Sequence, residues 1–151
     1  MMDRAQKRAT SVVEPVAHQE IVELYARYCQ SADADAAEAW ADCFTSDGDL
    51  CVDGEVISRG REDLIARRTA GSLSGRRQHW NNNIVLTRES PDLVIGTAYL
   101  MVVDVDESNG APAVTMLGTY RDEIVLTSDG WRFAHRGLRF LVRDSPLLPT
   151  R

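Results

Sequence analysis

The stretch RRQHWNNNIVLT, Arg76 to Thr87, carries a histidine and three asparagines where a β-strand should present apolar residues to a core. Alternation along a strand puts His79, Asn81 and Asn83 on one side and Trp80, Asn82 and Ile84 on the other. An unsatisfied polar group inside a protein costs ~1–3 kcal/mol, so a polar face turned inward needs a use. Histidine has the ordinary pKa nearest neutrality, which makes an inward His79 a candidate general base. Such a base works best beside a carboxylate that fixes its tautomer and stabilises the imidazolium. Asp33 is the candidate, because it falls where an amphipathic helix ends and the chain turns. Asp33 and Asp35 are equally suited to capping the next helix. His18 and His135 are read as structural, the first among solvent-facing helical residues and the second beside Arg136.

Other chemistries lack their spacing. No two of the three histidines stand in an i, i+2 or i, i+4 relation, so no metal site is expected. There is neither a Gly-rich phosphate loop nor a G-x-S-x-G elbow, which leaves cofactor-free chemistry. Cys29, Cys43 and Cys51 are odd in number and widely spaced, as reduced thiols would be. A net charge of −6 and a pI near 5.0 leave no field to collect phosphates, so neither nucleic acid nor an acidic membrane is an expected partner. The arginines Arg59, Arg61, Arg67, Arg68, Arg76 and Arg77, diluted by Glu62 and Asp63, read as a solvated face. Without an apolar run of about 20 residues or a signal-peptide core, the expected location is cytoplasmic.

The elements that must position these residues follow from periodicity. At 151 residues, 44% hydrophobic and 26% charged, the chain suits one domain, expected over 14–143 between a flexible segment 1–13 and a tail 144–151. Ser11 and Glu14 have capping-box spacing and Pro15 suits a first helical turn. Val16, Ile21, Leu24, Tyr25, Tyr28 and Cys29 then predict a helix of about four turns. A second short helix carries Ala36, Ala39, Trp40 and Phe44. TSDGDLCVDGEVISRG, with two Asp-Gly turn signals, predicts a small hairpin, and GREDLIARRTA a third helix with Leu64 and Ile65 inward. Four strands follow at 77–87, 93–105, 113–127 and 131–142. Helices first and antiparallel strands after predict an α+β fold with the helices on one face of a curved sheet. Ala98, Leu100 and Val102 alternate with Tyr99, Met101 and Val103, so both sheet faces are apolar; helices cover one, and a homodimer interface is the expected cover of the other.

Taken in order from about Glu20 to Phe140, EIVELYARYCQSADADAAEAWADCF with its Tyr28 and Asp33, GRED, QHWNNN and GTYRDEIVLTSDGWRFAHRGL resemble SnoaL-like members of the nuclear transport factor 2-like superfamily. The resemblance implies a cone: three N-terminal helices packed on a strongly curved, mostly antiparallel sheet that encloses a pocket. In the scytalone dehydratase and hexachlorocyclohexane dehydrochlorinase of that superfamily, aspartate and histidine stand where Asp33 and His79 stand here. The implied activity is a cofactor-independent, dehydratase-like lyase or isomerase acting on a small, largely apolar, cyclic molecule. The same resemblance places Tyr28, Leu50, Asn83, Ala98, Leu100, Leu117, Thr119, Arg121, Arg136 and Phe140 on the pocket wall. Asn83 would hydrogen-bond a substrate carbonyl or hydroxyl, and Arg121 would hold an anionic oxygen or pair with Asp122 or Glu123. Ala32 departs from scytalone dehydratase, which has a tyrosine at that position. A polyketide cyclase or epoxide hydrolase, for which Asp122 or Glu123 would be the acidic group, and a non-catalytic ligand-binding or assembly subunit are the alternatives.

Overall fold

Pro15, with its backbone already set for a helix, opens α1 (Pro15–Asp33). The N-cap is Glu14 without a side-chain bond, so α1 begins later than the Ser11–Glu14 spacing suggested. This is a computed structural model describing residues 11–71 and 76–143; the first ten residues of the expected flexible segment and the tail 144–151 lie outside them. α1 buries Ile21, Leu24, Tyr25, Tyr28, Cys29 and Ala32, whereas Val16, expected on the same stripe, is 71% exposed. Asp35, with φ of 53°, reverses the chain into α2 (Ala37–Ala41). The N-cap of α2 is Ala36, and neither Asp33 nor Asp35 fills that position.

β1 (Phe44–Val52) and β2 (Glu55–Arg59) form the first hairpin, turned by Asp53 and Gly54, both at positive φ as a tight hairpin requires. The other Asp-Gly pair, Asp47 and Gly48, is not a turn but lies inside β1. A Cβ on Gly48 would stand 2.8 Å from the Phe133 carbonyl, so this glycine serves a close approach of strands. α3 (Arg61–Ala70) buries Leu64 and leads to β3 (Arg77–Ser90), β4 (Leu93–Val105), β5 (Pro112–Thr127) and β6 (Gly130–Arg143). The order is β2-β1-β6-β5-β4-β3, parallel only between β1 and β6, so the sheet is mixed and open with β3 at one edge. α1 lies against β3 and β6. Tyr25 and Tyr28 meet Phe133 edge-on at centroid distances of 5.2 and 5.8 Å, and this aromatic cluster is the centre of the core. Among the described residues no helix is long and apolar enough to cross a membrane.

Two details of register correct the expected pocket wall. Cross-strand partners point to the same side. Ala98 and Leu100, both buried, pair with Tyr120 and Gly118. Tyr120, Asp122 and Ile124 therefore face inward, and Leu117, Thr119 and Arg121 face the opposite side, with Leu117 38% exposed. In β3, Asn82 pairs with Tyr99 but Val85 with Thr97, three steps against two. This one-residue bulge is centred on Asn83, whose φ is 53°. The inward set changes there from Arg77, His79 and Asn81 to Ile84, Leu86 and Arg88, and Asn83 is turned out to solvent.

The inner face also depends on an absent side chain. The Tyr25 hydroxyl donates to Asp122 Oδ2 at 2.6 Å, and a Cβ on Gly96 would overlap that hydroxyl. Gly96→Ala is expected to displace Tyr25, break this bond and destabilise the fold by about 2–3 kcal/mol. The check is the urea midpoint; an unchanged midpoint would mean that the core accommodates the methyl group.

Candidate active site

The last residue of α1 and the inward face of β3 meet at one point. Asp33 Oδ1 lies 2.6 Å from His79 Nδ1, and the His79 backbone N–H donates to both carboxylate oxygens at 3.1 and 3.2 Å. A single carboxylate thus holds the ring and the strand that carries it. A carboxylate only accepts, so Nδ1 bears the hydrogen and Nε2 is the basic atom. The two side chains are 18% and 23% exposed. Burial pushes the His79 pKa below its ordinary 6.5; the hydrogen bond and charge of Asp33 oppose this, while Arg77 and Arg68 add to it. At neutral pH the imidazole is uncharged and ready to accept a proton.

The pair opens on a cleft of about 390 Å³ between α1 and β3. Val22, Ala26, Cys29, Trp80 and Ile84 give it apolar surface, and Tyr25, Gln30, Gln78, Asn81 and Asn82 join Asp33 and His79 as its polar lining. Cys29 is no nucleophile there, because burial pushes its thiol up to about 11. Arg77, two residues before His79, forks onto Asp104 with two 2.6 Å bonds, and Thr115 donates to Asp104 at 2.8 Å. Burial works against the Asp104 carboxylate, but these bonds outweigh it and hold the pKa below the usual range. The start of β3 is thereby held at Arg77 as well as at His79.

Behind Asn81 lies a fully buried cation. Arg136 is 0% exposed, with its guanidinium carbon 3.7, 4.0 and 4.4 Å from the ring centroids of Tyr120, Tyr28 and Phe133. Its Nε stands 3.8 Å from Asp122 Oδ1, beyond hydrogen-bond reach, and its Nη2 donates to Asn81 Oδ1 at 2.5 Å. Burial disfavours the charged guanidinium, yet Asp122 and the surrounding phenols hold the Arg136 pKa above its ordinary value. Burial pushes Asp122 up, opposed by Arg136 and by the Tyr25 hydroxyl. Nε and Nη1 of Arg136, Nδ2 of Asn81 and Oδ1 of Asp122 have no hydrogen-bond partner.

The structure brings together Asp33 and His79 on the cleft. Tyr28, Leu50, Ala98, Leu100 and Arg136 are packed in the interior and Phe140 lies half-buried against it, but the lining of this cleft comes from α1 and β3. Asn83, Leu117, Thr119 and Arg121 are turned away. Tyr25 is a lining residue that the expected pocket wall omitted, and Asn81 lines the cleft on the parity that it shares with His79. A second histidine–aspartate pair, His135 Nδ1 to Asp49 Oδ1 at 2.5 Å, lies on the outer sheet face with Arg59 3.1 Å from Asp49.

An open, curved sheet wrapped by N-terminal helices, with its polar cleft where helix meets sheet, defines an α+β cone of the nuclear transport factor 2-like class. A family model described as SnoaL-like domain matches residues 16–137, and the chain belongs to this family. A solved protein of unknown function from Mycobacterium tuberculosis is 30% identical, with a TM-score of 0.74 over 84% of this chain and 76% of that one. An NTF2-like protein with a cystatin-like fold from Novosphingobium aromaticivorans is 24% identical, with a TM-score of 0.73 over 83% and 82% of the two chains. A protein provisionally designated a scytalone dehydratase, from the same organism, is 18% identical, with a TM-score of 0.71 over 90% and 96%. These last two share the fold. No curated protein matches the chain.

Proposed function

We propose that the protein is a cofactor-independent lyase or isomerase of dehydratase type, acting on a small, largely apolar, cyclic molecule. The observation that carries this reading is the 2.6 Å bond between Asp33 and a neutral His79 on a cleft that Val22, Cys29, Trp80 and Ile84 line in part. Nε2 takes a proton from a substrate carbon, and the C–H electron pair forms a carbon–carbon double bond as a hydroxyl leaves the neighbouring carbon. The imidazolium gives that hydroxyl its proton and it departs as water; in an isomerisation the proton returns to a different carbon. Asp33 keeps the ring oriented and stabilises its charge meanwhile. A cyclase that used Asp122 would need that carboxylate at the substrate, but Asp122 is 0% exposed and bonded to Tyr25. Free Cys29, Cys43 and Cys51 suit a reducing cytoplasm. The test is elimination or isomerisation of cyclic hydroxyketones by the purified protein, with His79→Ala and Asp33→Asn as controls; equal turnover in all three would end this reading.

The outer sheet face supports a homodimer. Trp80, Met101 and Leu117 are neighbours across three strands beside Tyr99, which is 56% exposed, as Trp80 is at 47%. Apolar surface gathered in this way favours association. Light scattering at micromolar concentration should give twice the chain mass, and Tyr99→Arg should give a monomer. A wild-type monomer would rule the interface out.

A further inference from the structure

The outer face of the sheet carries a second set of reactive groups that the cleft does not use. Asp49 and Cys51 flank buried Leu50 on β1, so both side chains point outward. Asp49 pairs with His135 of β6 and Cys51 with Gly137, in one regular parallel register. The bond from Nδ1 to Asp49 fixes the His135 ring, and Arg59 of β2 holds the same carboxylate at 3.1 Å. A carboxylate only accepts, so Nδ1 carries the hydrogen and Nε2 keeps a basic lone pair. Nε2 lies over Gly137, where a Cβ would stand 3.1 Å from it. The bare glycine thus leaves the imidazole in a gap between the two cross-strand partners of Gly137, which are Cys51 on β1 and Arg121 on β5. Cys51 is a free, half-buried thiol and Arg121 is exposed.

We propose that Cys51, His135 and Arg121 form a second reactive site, at which the Cys51 thiol adds to an α,β-unsaturated ketone. Nε2 of His135 takes the thiol proton, while Asp49 orients the ring and stabilises its charge. A sulfur lone pair bonds to the β-carbon, the carbon–carbon π pair shifts to form an enolate, and the carbonyl π pair moves onto oxygen beside Arg121. The enolate then takes the proton of the imidazolium at its α-carbon and the carbonyl re-forms. The product is a saturated ketone joined to Cys51 by a thioether, with no oxidant or reductant consumed. Spacing selects this electrophile: Cys51 and Arg121 stand on strands two spacings apart, about 9.5 Å. In an ester the attacked carbon itself bears the oxygen, whereas in an unsaturated ketone two further bonds separate the attacked carbon from the carbonyl group. The site stands apart from the cleft, since it lies on the sheet face opposite His79 and three strands from Tyr99.

The probe is conjugated cyclohexenone, incubated with the full chain at neutral pH and followed by intact mass, with the modified residue located by peptide mapping. One adduct is expected, at Cys51, formed roughly 10²-fold faster than on free glutathione, the low end of general acid–base assistance. His135→Gln should bring the rate down to that of glutathione. Asp49→Asn should do the same, because an asparagine amide donates to Nδ1 and moves the imidazole hydrogen onto Nε2. Arg121→Ala should slow addition of cyclohexenone but not alkylation by iodoacetamide, whose displacement leaves the charge on iodide rather than on an oxygen. The three variants lie on three strands, so loss of fold in one leaves the others decisive. Addition at Cys51 no faster than on glutathione, or a rate indifferent to both His135→Gln and Asp49→Asn, would overturn the proposal. Equal slowing of both reagents in Arg121→Ala would overturn the part given to Arg121.

Discussion

Removal of the His79 imidazole, in His79→Ala, is expected to lower turnover by ~10²–10⁴-fold, the usual contribution of general acid–base catalysis. Asp33→Asn should fall in the same range for a different reason. An asparagine amide can donate to Nδ1, which places the imidazole hydrogen on Nε2 and removes the basic lone pair from the cleft. The wild-type kcat/KM should rise with pH along a limb whose midpoint lies below 6.5, because burial lowers the His79 pKa from that value. The same shift bears on stability. Native His79 binds fewer protons than the unfolded chain between its lowered pKa and about 6.5, so its contribution is present above that window and lost as pH falls through it. In His79→Ala both the kinetic limb and this part of the stability profile should vanish. A kinetic limb above pH 6.5 that persists in His79→Ala would show that another group supplies the base.

The second large effect concerns the interior rather than the cleft. Asp122→Ala leaves the Arg136 guanidinium 0% exposed, with its nearest counter-charge gone and only aromatic faces and Asn81 around it. Stranding one partner of a buried pair typically costs ~3–5 kcal/mol. Replacement of both partners, as in Arg136→Met with Asp122→Ala, should be milder than the sum of the single changes, because no charge is left without water or partner. Urea unfolding of the four proteins, wild type included, gives the coupling directly. A loss below about 1 kcal/mol for Asp122→Ala would mean that the aromatic rings alone suffice to hold the cation.

Much of this arrangement was legible in the residues. The apolar stripe of α1 and the four long strands follow from period, and Asp33 at the end of that stripe and His79 at the head of a strand were visible as a facing pair. Alternation failed where the backbone departs from a uniform pleat. Nothing in NNN says which asparagine adopts positive φ, and the bulge at Asn83 reverses every assignment beyond it. In β5 both candidate faces mix polar and apolar groups: Leu117, Thr119 and Arg121 on one, Tyr120, Asp122 and Ile124 on the other. Only the pairing with Ala98 and Leu100 decides between them. Asp47 and Gly48 look like a turn, yet the glycine is there to admit the Phe133 carbonyl.

The bulge at Asn83 makes β3 two half-strands in opposite phase. The N-terminal half presents Arg77, His79 and Asn81 to the interior, and the C-terminal half presents Ile84, Leu86 and Arg88. A uniform strand would tie these choices together, since any slip that turned one set inward would turn the other with it. With the phase reset between them, one strand turns His79 and Asn81 toward the cleft and Ile84 and Leu86 toward the core.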